Sequence, residues 1–338
     1  MGTYIVKRIL LFIPTFIAIT LITFGISRMA PGDPAELIAG VSGENLEADR
    51  QTAEAQLQKI REKYGLDKPV PVQYLRWAGG ILKLDFGVSY RDQRPVMEKI
   101  SDGVWVTLKM NIISIILAYL IAIPIGIYSA THSGSIGDRI SSTVLFALYS
   151  IPTFWAGTLL IIFLTNNDYL FQLFPVRGLY STAYDESWSF WHKFIDQTWH
   201  LAAPVLIYTY GSFAFISRQM RAGMIEVIRQ DYIRTARSKG LSERVVIYKH
   251  ALRNSLIPIV TLLGGLLPSL VSGSIIVELI FSIPGMGKLS IDALLARDYP
   301  IIMGVLTLGA ILTMIGVLIS DLLYSVVDPR IAFSKKNA

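Results

Sequence analysis

The chain has 338 residues, of which 52% are hydrophobic and only 17% are charged, and its mean hydropathy is +0.49. Soluble domains carry about 25% charged residues, so this composition indicates an integral membrane protein. The absence of cysteine excludes disulfides, cysteine metal sites and thiol nucleophiles. The net charge is +6. We attribute this positive charge to membrane topology and expect no binding of nucleic acid.

Six apolar stretches are long enough to cross a bilayer, which takes roughly 17 to 25 residues. In chain order they are Ile9–Ser27, Met110–Ala130, Thr143–Thr165, Leu201–Ser217, Leu256–Ile280 and Ile301–Val327. The first is longer than the apolar core of a signal peptide and has no cleavage site after it, so we expect it to remain as an anchor. The sequence therefore predicts an all-α integral membrane protein with six transmembrane helices, forming a single transmembrane domain over residues 1–338.

The basic residues predict the orientation of these spans. With the N-terminus inside, Lys7-Arg8, the turn containing Arg139, the most basic loop and the C-terminal tail all lie in the cytoplasm, as the positive-inside rule requires. Both termini are then cytoplasmic, residues 29–104 form the first extracytoplasmic segment, and residues 218–255 form a cytoplasmic loop. Within the outer segment, Leu46–Tyr64 is typical of an amphipathic helix ended by Gly65.

The predicted spans contain few polar residues that could carry out chemistry within the membrane. No phosphate-binding loop occurs, since "PGMGKLS" lacks the required spacing, and the four histidines are scattered without metal-ligand spacing. Only Glu278 and Asp321 are charged residues inside predicted spans, and both lie near span ends, where we expect them to reach headgroup water and to anchor or pair helices, with substrate contact as the alternative. A self-sufficient channel or secondary transporter stays an alternative class, although no charged relay near the midplane supports it. A membrane enzyme would need a catalytic constellation that we do not find.

The loop from Arg218 to Ser255 holds nine basic and three acidic residues, so its charge alone equals the net charge of the chain. The sequence predicts a helix over Tyr232–Lys239, a turn at Gly240, and a second helix capped by Ser242. Helix connections in bundles commonly take 2 to 8 residues. A loop of this length indicates a helix projected into the cytoplasm, with a topology signal or a lipid-binding surface as the alternatives.

The run "DYIRTARSKGLSERVVIYKHALRNSLIPIV" resembles the EAA loop of ABC importer permeases. Arg234-Thr235-Ala236 stand at the E-A-A positions, Gly240 at the glycine, and His250–Arg253 at the I-x-L-P positions. "RTARSKG" followed by "HALRNSLIP" is similar to the dipeptide/oligopeptide/nickel branch of the family. So are "KRILLFIPTFIAITLITFGISRMAPGDPA", "YGLDKPVPVQYLRW", "ELIFSIPGMGKLSIDALLARDYPII" and "DLLYSVVDPRI". The resemblance covers essentially the whole chain.

This resemblance implies a type I importer permease fold and a coupling helix that docks on a cytoplasmic ATPase. The docking residues it implies are Tyr232, Arg234, Thr235, Ala236, Arg237, Lys239, Gly240, Leu241 and Ser242, with Ala236 allowing close approach of the partner. It also implies two ABC ATPase subunits, a second homologous permease completing a heterodimer, an extracytoplasmic substrate-binding protein and surrounding membrane lipid. ATP and Mg²⁺ would bind the ATPases, so this chain is expected to be no enzyme and to hold neither metal nor cofactor.

The expected function is import of di- or oligopeptides across a prokaryotic inner membrane, with this chain forming half of the path. Nickel chelates, oligosaccharides and glutathione stay alternative cargoes, because related permeases carry them too. In the third span, Pro152 interrupts the helix and brings polar or aromatic groups to membrane depth. The candidate pathway residues are Tyr149, Ser150, Pro152, Thr153 and Trp155. A simple packing kink is the alternative interpretation of this proline.

Overall fold

The computed structural model describes residues 2–29, 33–39, 50–165, 173–175, 177–264 and 266–327. Within these ranges the chain is α-helical with a short π-helical segment, and its one extended pairing is an isolated bridge between Val88 and Pro95. The prediction of an all-α protein is confirmed. The helices are α1 (Gly2–Met29), α2 (Pro34–Ala39), α3 (Arg50–Tyr64), α4 (Val70–Ile81), α5 (Val96–Thr131), α6 (Ile136–Ser150), α7 (Thr153–Leu164), α8 (Phe190–Ile228), α9 (Asp231–Ser238), α10 (Glu243–Val245), α11 (Leu252–Ser255), α12 (Ile257–Gly264), α13 (Leu266–Ser272), α14 (Ile275–Ile280), α15 (Met286–Leu295) and α16 (Tyr299–Val327).

Four of these helices are long and apolar enough to cross a membrane, counted over the described ranges. They are Leu10–Met29 within α1, Val96–Thr131, Phe190–Ile228, and Tyr299–Ile319 within α16. A fifth span is obtained if α6 and α7 are counted together as one. The two helices bend by 93° at their junction. The predicted span Leu256–Ile280 is divided among α12, α13 and α14, and Gly273 between the last two has a φ of +66°. Six spans and cytoplasmic termini stay predictions.

α8 is much longer than the span predicted inside it. Ser189 caps its N-terminus, accepting a hydrogen bond from the His192 backbone N–H at 3.3 Å. At the other end the helix continues to Ile228, beyond the predicted boundary at Ser217. Met220 and Met224, one turn apart, are both fully buried and extend the apolar stripe. The first part of the predicted cytoplasmic loop is therefore a continuation of the span.

The chain groups into two compact units, of which the first contains residues 1–105 and 289–314. Here α1 packs against α4, where Phe24 contacts the rings of Tyr74 and Trp77 and Thr20 hydrogen-bonds the Tyr74 hydroxyl at 3.0 Å. The predicted amphipathic helix is present as α3 and ends at Gly65, whose φ of +67° favours glycine. Residues 46–49 of that prediction lie outside the described ranges.

The second unit contains residues 106–288 and 315–338, described here as far as residue 327. Its central helix is α8, against which α6, α7, α11 and α12 pack. The short turn between α5 and α6 is held to α8 by Arg221, which donates to both carboxylate oxygens of Asp138 at 3.2 and 3.0 Å. The backbone N–H of Gly134, within the turn, also donates to the Asp138 carboxylate at 2.9 Å. The turn is thereby fixed to the helix that leads into α9.

Candidate functional site

The basic loop forms a helix, a glycine turn and a second helix, as the sequence predicts. α9 covers Asp231–Ser238, and Gly240 follows it with a φ of +78°, in the left-handed region that side chains with a Cβ rarely adopt. The second helix starts as α10, passes through a π-helical segment at Val246–Ala251, and continues as α11. Ser242 stands at the N-cap, but its side chain makes no capping hydrogen bond. Its predicted position as N-cap residue is confirmed, whereas its hydroxyl does not serve as the cap.

One face of α9 is buried in the core of the second unit. Ile233 has no exposed surface and Ala236 is 6% exposed. Both belong to a hydrophobic cluster that includes Ala122 of α5, Met220 of α8 and Val246 of the π-helical segment. In this structure the small side chain of Ala236 packs α9 against its own chain, and the expected close approach of a partner at Ala236 stays a prediction. The buried residue Ile233 was missed, although its spacing from Ala236 places both on one helical face.

The opposite face of α9 and the turn after it are exposed. The other predicted docking residues share this exposure: Tyr232, Arg234, Thr235, Arg237, Lys239, Gly240, Leu241 and Ser242. Tyr232 and Leu241 are 42% and 40% exposed, and Arg234 makes only a loose ion pair with Asp231 at 3.5 Å. The surface thus presents Leu241, Lys239, Tyr232 and Arg234, of which tyrosine and arginine are residue types enriched at the energetic centre of protein interfaces.

Two side-chain contacts hold this surface in place. Arg237 donates from Nε and Nη2 to the two carboxylate oxygens of Glu243, at 3.1 and 2.7 Å, across the Gly240 turn. This bidentate pair lowers the pKa of Glu243. The Asn254 amide of α11 donates to the Tyr232 hydroxyl at 2.7 Å. Neither of these two contacts was predicted from the sequence. Each joins residues that come together only once the chain has turned back at Gly240.

The candidate pathway residues lie around the bend between α6 and α7. Pro152 is the N-cap of α7, and the carbonyl of Ile151 accepts a hydrogen bond from the Tyr210 hydroxyl of α8 at 2.7 Å. Tyr149 is 63% exposed and Trp155 is 49% exposed. Ser150 donates its hydroxyl to the Phe146 carbonyl at 2.9 Å and Thr153 is half-buried. Proline thus breaks the predicted third span, and a tyrosine that sequence reasoning missed satisfies the carbonyl at the break.

Glu278 is fully buried, contrary to the expectation that it reaches headgroup water. Its carboxyl accepts hydrogen bonds from the Thr107 hydroxyl at 3.1 Å and from the Lys288 backbone N–H at 2.8 Å. Backbone closes over the group, since a Cβ on Gly273 or Gly285 would lie 2.5 Å from its carboxyl atoms. Glu278 therefore pairs α14 with α5 and α15, as the expectation of helix pairing had it. Asp321 lies in α16 outside the residues whose side chains are described.

These features define the class of the protein. An all-α chain with four or five membrane-crossing segments and a structured, exposed basic loop is a polytopic membrane protein. Residues 122–333 match the model of the binding-protein-dependent transport system inner membrane component, and residues 1–111 match the model of the N-terminal part of such membrane components. The chain belongs to this family of inner membrane transport components, so its location in the inner membrane and its resemblance to ABC importer permeases are confirmed.

Curated relatives match over nearly the whole length. The chain is 39% identical over 334 residues to the oligopeptide transport system permease protein AppB of Bacillus subtilis, covering 98% of this chain and 100% of that protein. It is 38% identical to the dipeptide transport system permease protein DppB of Escherichia coli K12, covering 98% and 99%. It is 33% identical to the peptidoglycan transport system permease protein YejB of Agrobacterium fabrum, covering 100% of both.

A solved structure shows the same fold. The inward-facing MetNI methionine ABC transporter matches with a TM-score of 0.52, covering 69% of this chain and 97% of that chain, at 21% sequence identity. The helical arrangement of an ABC importer permease is therefore shared, while this level of identity carries no information about cargo. The predicted fold class is confirmed.

Proposed function

We propose that this chain is the permease subunit of a binding-protein-dependent ABC importer of peptides and supplies one half of its translocation path. The observation that carries the proposal is the near full-length similarity to the oligopeptide permease of B. subtilis and the dipeptide permease of E. coli, at 39% and 38% identity. The proposed partners are a second homologous permease, two cytoplasmic ATPases that bind ATP and Mg²⁺, and an extracytoplasmic substrate-binding protein.

α9 and the Gly240 turn are the proposed coupling element. Their exposed face offers Arg234 and Lys239 to carboxylates or carbonyls of an ATPase groove, and Tyr232 and Leu241 to its apolar parts. No ATP chemistry is required of this chain, because the coupling element only has to receive a displacement. Arg237 is already paired with Glu243, so its proposed contribution is to hold the turn in shape.

The buried face of α9 supports a mechanical role. Ile233 packs into the same cluster as residues of α5 and α8, two of the long apolar helices. Close-packed interiors move as rigid bodies rather than deforming continuously. A displacement of α9 by closing ATPases would therefore be passed to these helices and would rock the permease between inward and outward access.

The test is peptide uptake by liposomes containing the full chain with its candidate second permease, ATPases and binding protein. We expect Arg234→Glu to lower both retention of the ATPases and uptake of a labelled dipeptide by at least tenfold, because charge reversal at an interface is repulsive. Arg139→Glu is the matched control, since it makes the same charge change on another exposed residue of the predicted cytoplasmic face. Its uptake should match that of the wild type.

Three outcomes contradict parts of the proposal. Uptake that persists without ATPases would mean a channel or secondary transporter. Equal ATPase retention by wild type and Arg234→Glu would remove the docking role of α9 while leaving the importer assignment intact. Preferential uptake of nickel chelates, glutathione, oligosaccharides or peptidoglycan fragments over dipeptides would replace the proposed cargo.

A further inference from the structure

The first compact unit contains a cationic pocket of about 640 Å³ near the C-terminal end of α1. Arg28 of α1, Lys63 of α3 and Arg76 of α4 line it, against one lining carboxylate, Asp85. Asp85 is engaged in its own turn, where it accepts the Gly87 backbone N–H at 2.9 Å. The pocket therefore carries an excess of positive charge beside a helix that is long and apolar enough to cross the membrane.

These three cations do not pair with any carboxylate in the described ranges. Asp33, whose charge acts on Arg28, forms its ion pair with Arg61 instead. Arg28 rests on the Phe24 ring at 5.2 Å and Lys63 on the Tyr64 ring at 5.2 Å, arrangements that orient a cation without neutralising it. The pocket is thus electrostatically suited to an anion.

The walls also hold polar atoms without partners. The indole Nε1 of Trp77 and the amide Oε1 of Gln73 are buried and have no hydrogen-bond partner within the described part of the chain. Both residues line the pocket. A buried donor and a buried acceptor left unpaired are each energetically unfavourable. A ligand with an anionic oxygen and a hydroxyl would satisfy both atoms.

An apolar groove of about 720 Å³ lies along α1 and α4, two of the helices that line the pocket. It is lined by Phe12, Phe16 and Thr20 of α1, by Leu75 and Gly79 of α4, and by residues of α16, all within the first unit. Thr20 is only four residues, about 6 Å, from Phe24 of the pocket. Because α1 is long and apolar enough to cross the membrane, we place the groove at hydrocarbon depth and the pocket at the end of that helix.

We propose that the first unit binds one anionic phospholipid with a hydroxylated headgroup. The phosphate lies among Arg28, Lys63 and Arg76, a headgroup hydroxyl donates to Gln73, and an acyl chain follows the groove between α1 and α4. The cations of the pocket favour an anionic headgroup. The apolar groove favours a ligand with an acyl chain over a free anion. Such a lipid would brace α1 against α3 and α4, and this role does not depend on the transported cargo.

The test is native mass spectrometry of the full chain in detergent, titrated with phosphatidylglycerol or with phosphatidylcholine of the same acyl chains. We expect phosphatidylglycerol to bind more tightly, and Arg28→Gln and Arg76→Gln each to weaken it about fivefold, in line with the contribution of one cation near a membrane surface. Lys83→Gln removes a charge from an exposed residue of the same unit outside the pocket and should leave binding unchanged.

A second pair of variants separates lipid from other occupants. Gly79 has open space where a Cβ would lie, so Gly79→Leu should fold and fill the groove, lowering phosphatidylglycerol binding; Gly25→Leu, equally open but outside both cavities, should not. Equal binding by Arg28→Gln and wild type overturns the proposal. Displacement by glycerol 3-phosphate with no effect of Gly79→Leu indicates a soluble-anion site and also overturns it. Protection of Gly79→Cys from a thiol reagent by a second protein chain, and not by lipid, would also overturn the proposal.

Discussion

Arg237 and Glu243 face each other across the Gly240 turn, joined by two hydrogen bonds of 3.1 and 2.7 Å. The pair closes a loop over residues 238–242, which include Lys239 and Leu241 of the proposed docking surface. It therefore sets the shape of the surface that we propose to meet an ATPase.

Breaking this pair should loosen the turn without unfolding the protein. The chain has no native cysteine, so a spin label on Lys239→Cys reports on the turn alone. We expect Glu243→Gln to increase the mobility of that label at pH 7. Arg244→Gln, at the next residue, is the control and should leave the mobility unchanged.

The same label tests the pH dependence of the pair. The pKa of Glu243 is lowered in the folded chain, chiefly by the hydrogen bond from Arg237. A lowered pKa means that the pair stabilises the turn above the ordinary glutamate pKa of about 4.3 and that this stabilisation is lost as the pH falls through the folded value. Label mobility in the wild type should therefore rise only in acid, whereas in Glu243→Gln it should not change over that range.

Ile233 should be the most sensitive position of α9. Because its side chain is fully buried, Ile233→Ala creates a cavity and should cost about 2 to 5 kcal/mol of stability. Thermal unfolding in detergent measures this loss. Leu241→Ala, on the exposed face, should shift the midpoint little but weaken ATPase retention. The reverse pattern would contradict the division of the helix into a packing face and a docking face.

Removal of the Glu278 carboxyl should destabilise the second unit. Glu278→Ala leaves the Lys288 N–H and the Thr107 hydroxyl without their acceptor, at about 1 to 3 kcal/mol for each buried group. Gly285→Ala should also destabilise, because the added methyl collides with the same carboxyl. Glu186→Ala, at an exposed position, is the control for unfolding measurements in detergent. Unchanged stability of Glu278→Ala would show that these hydrogen bonds contribute little.

The exposed residues beside the bend at Pro152 allow a test of whether α7 lines the translocation path. Trp155→Cys should react with a membrane-impermeant thiol reagent, and bound peptide should slow this reaction if the exposed face of α7 lines the path. Gly157→Cys is the control, since that position is buried two residues further along the helix. Equal labelling with and without peptide would favour a packing kink over a substrate contact.

The bend also depends on Tyr210. Tyr210→Phe leaves the Ile151 carbonyl without its donor, so we expect a loss of about 1 kcal/mol in stability and a lower transport rate. Tyr208→Phe is a suitable comparison, because it removes another tyrosine hydroxyl of α8, whose contact with Glu278 is long at 3.5 Å. Detergent unfolding and peptide uptake measured on the two variants would separate a specific carbonyl contact from the general loss of a hydroxyl.

Local sequence determined much of this protein. Apolar stretches in a membrane favour helices, and Gly240 and Pro152 impose turns through their backbone geometry, so the helical class and these two turns were predicted from the sequence, while the count of six spans stays a prediction. Only the tertiary structure decided which face of α9 is buried, which partner Arg237 takes, how Glu278 is satisfied, and how the proposed lipid pocket forms. These depend on groups far apart in the chain, such as Thr107 and Glu278, whose meeting is set by helix packing and not by neighbouring residues.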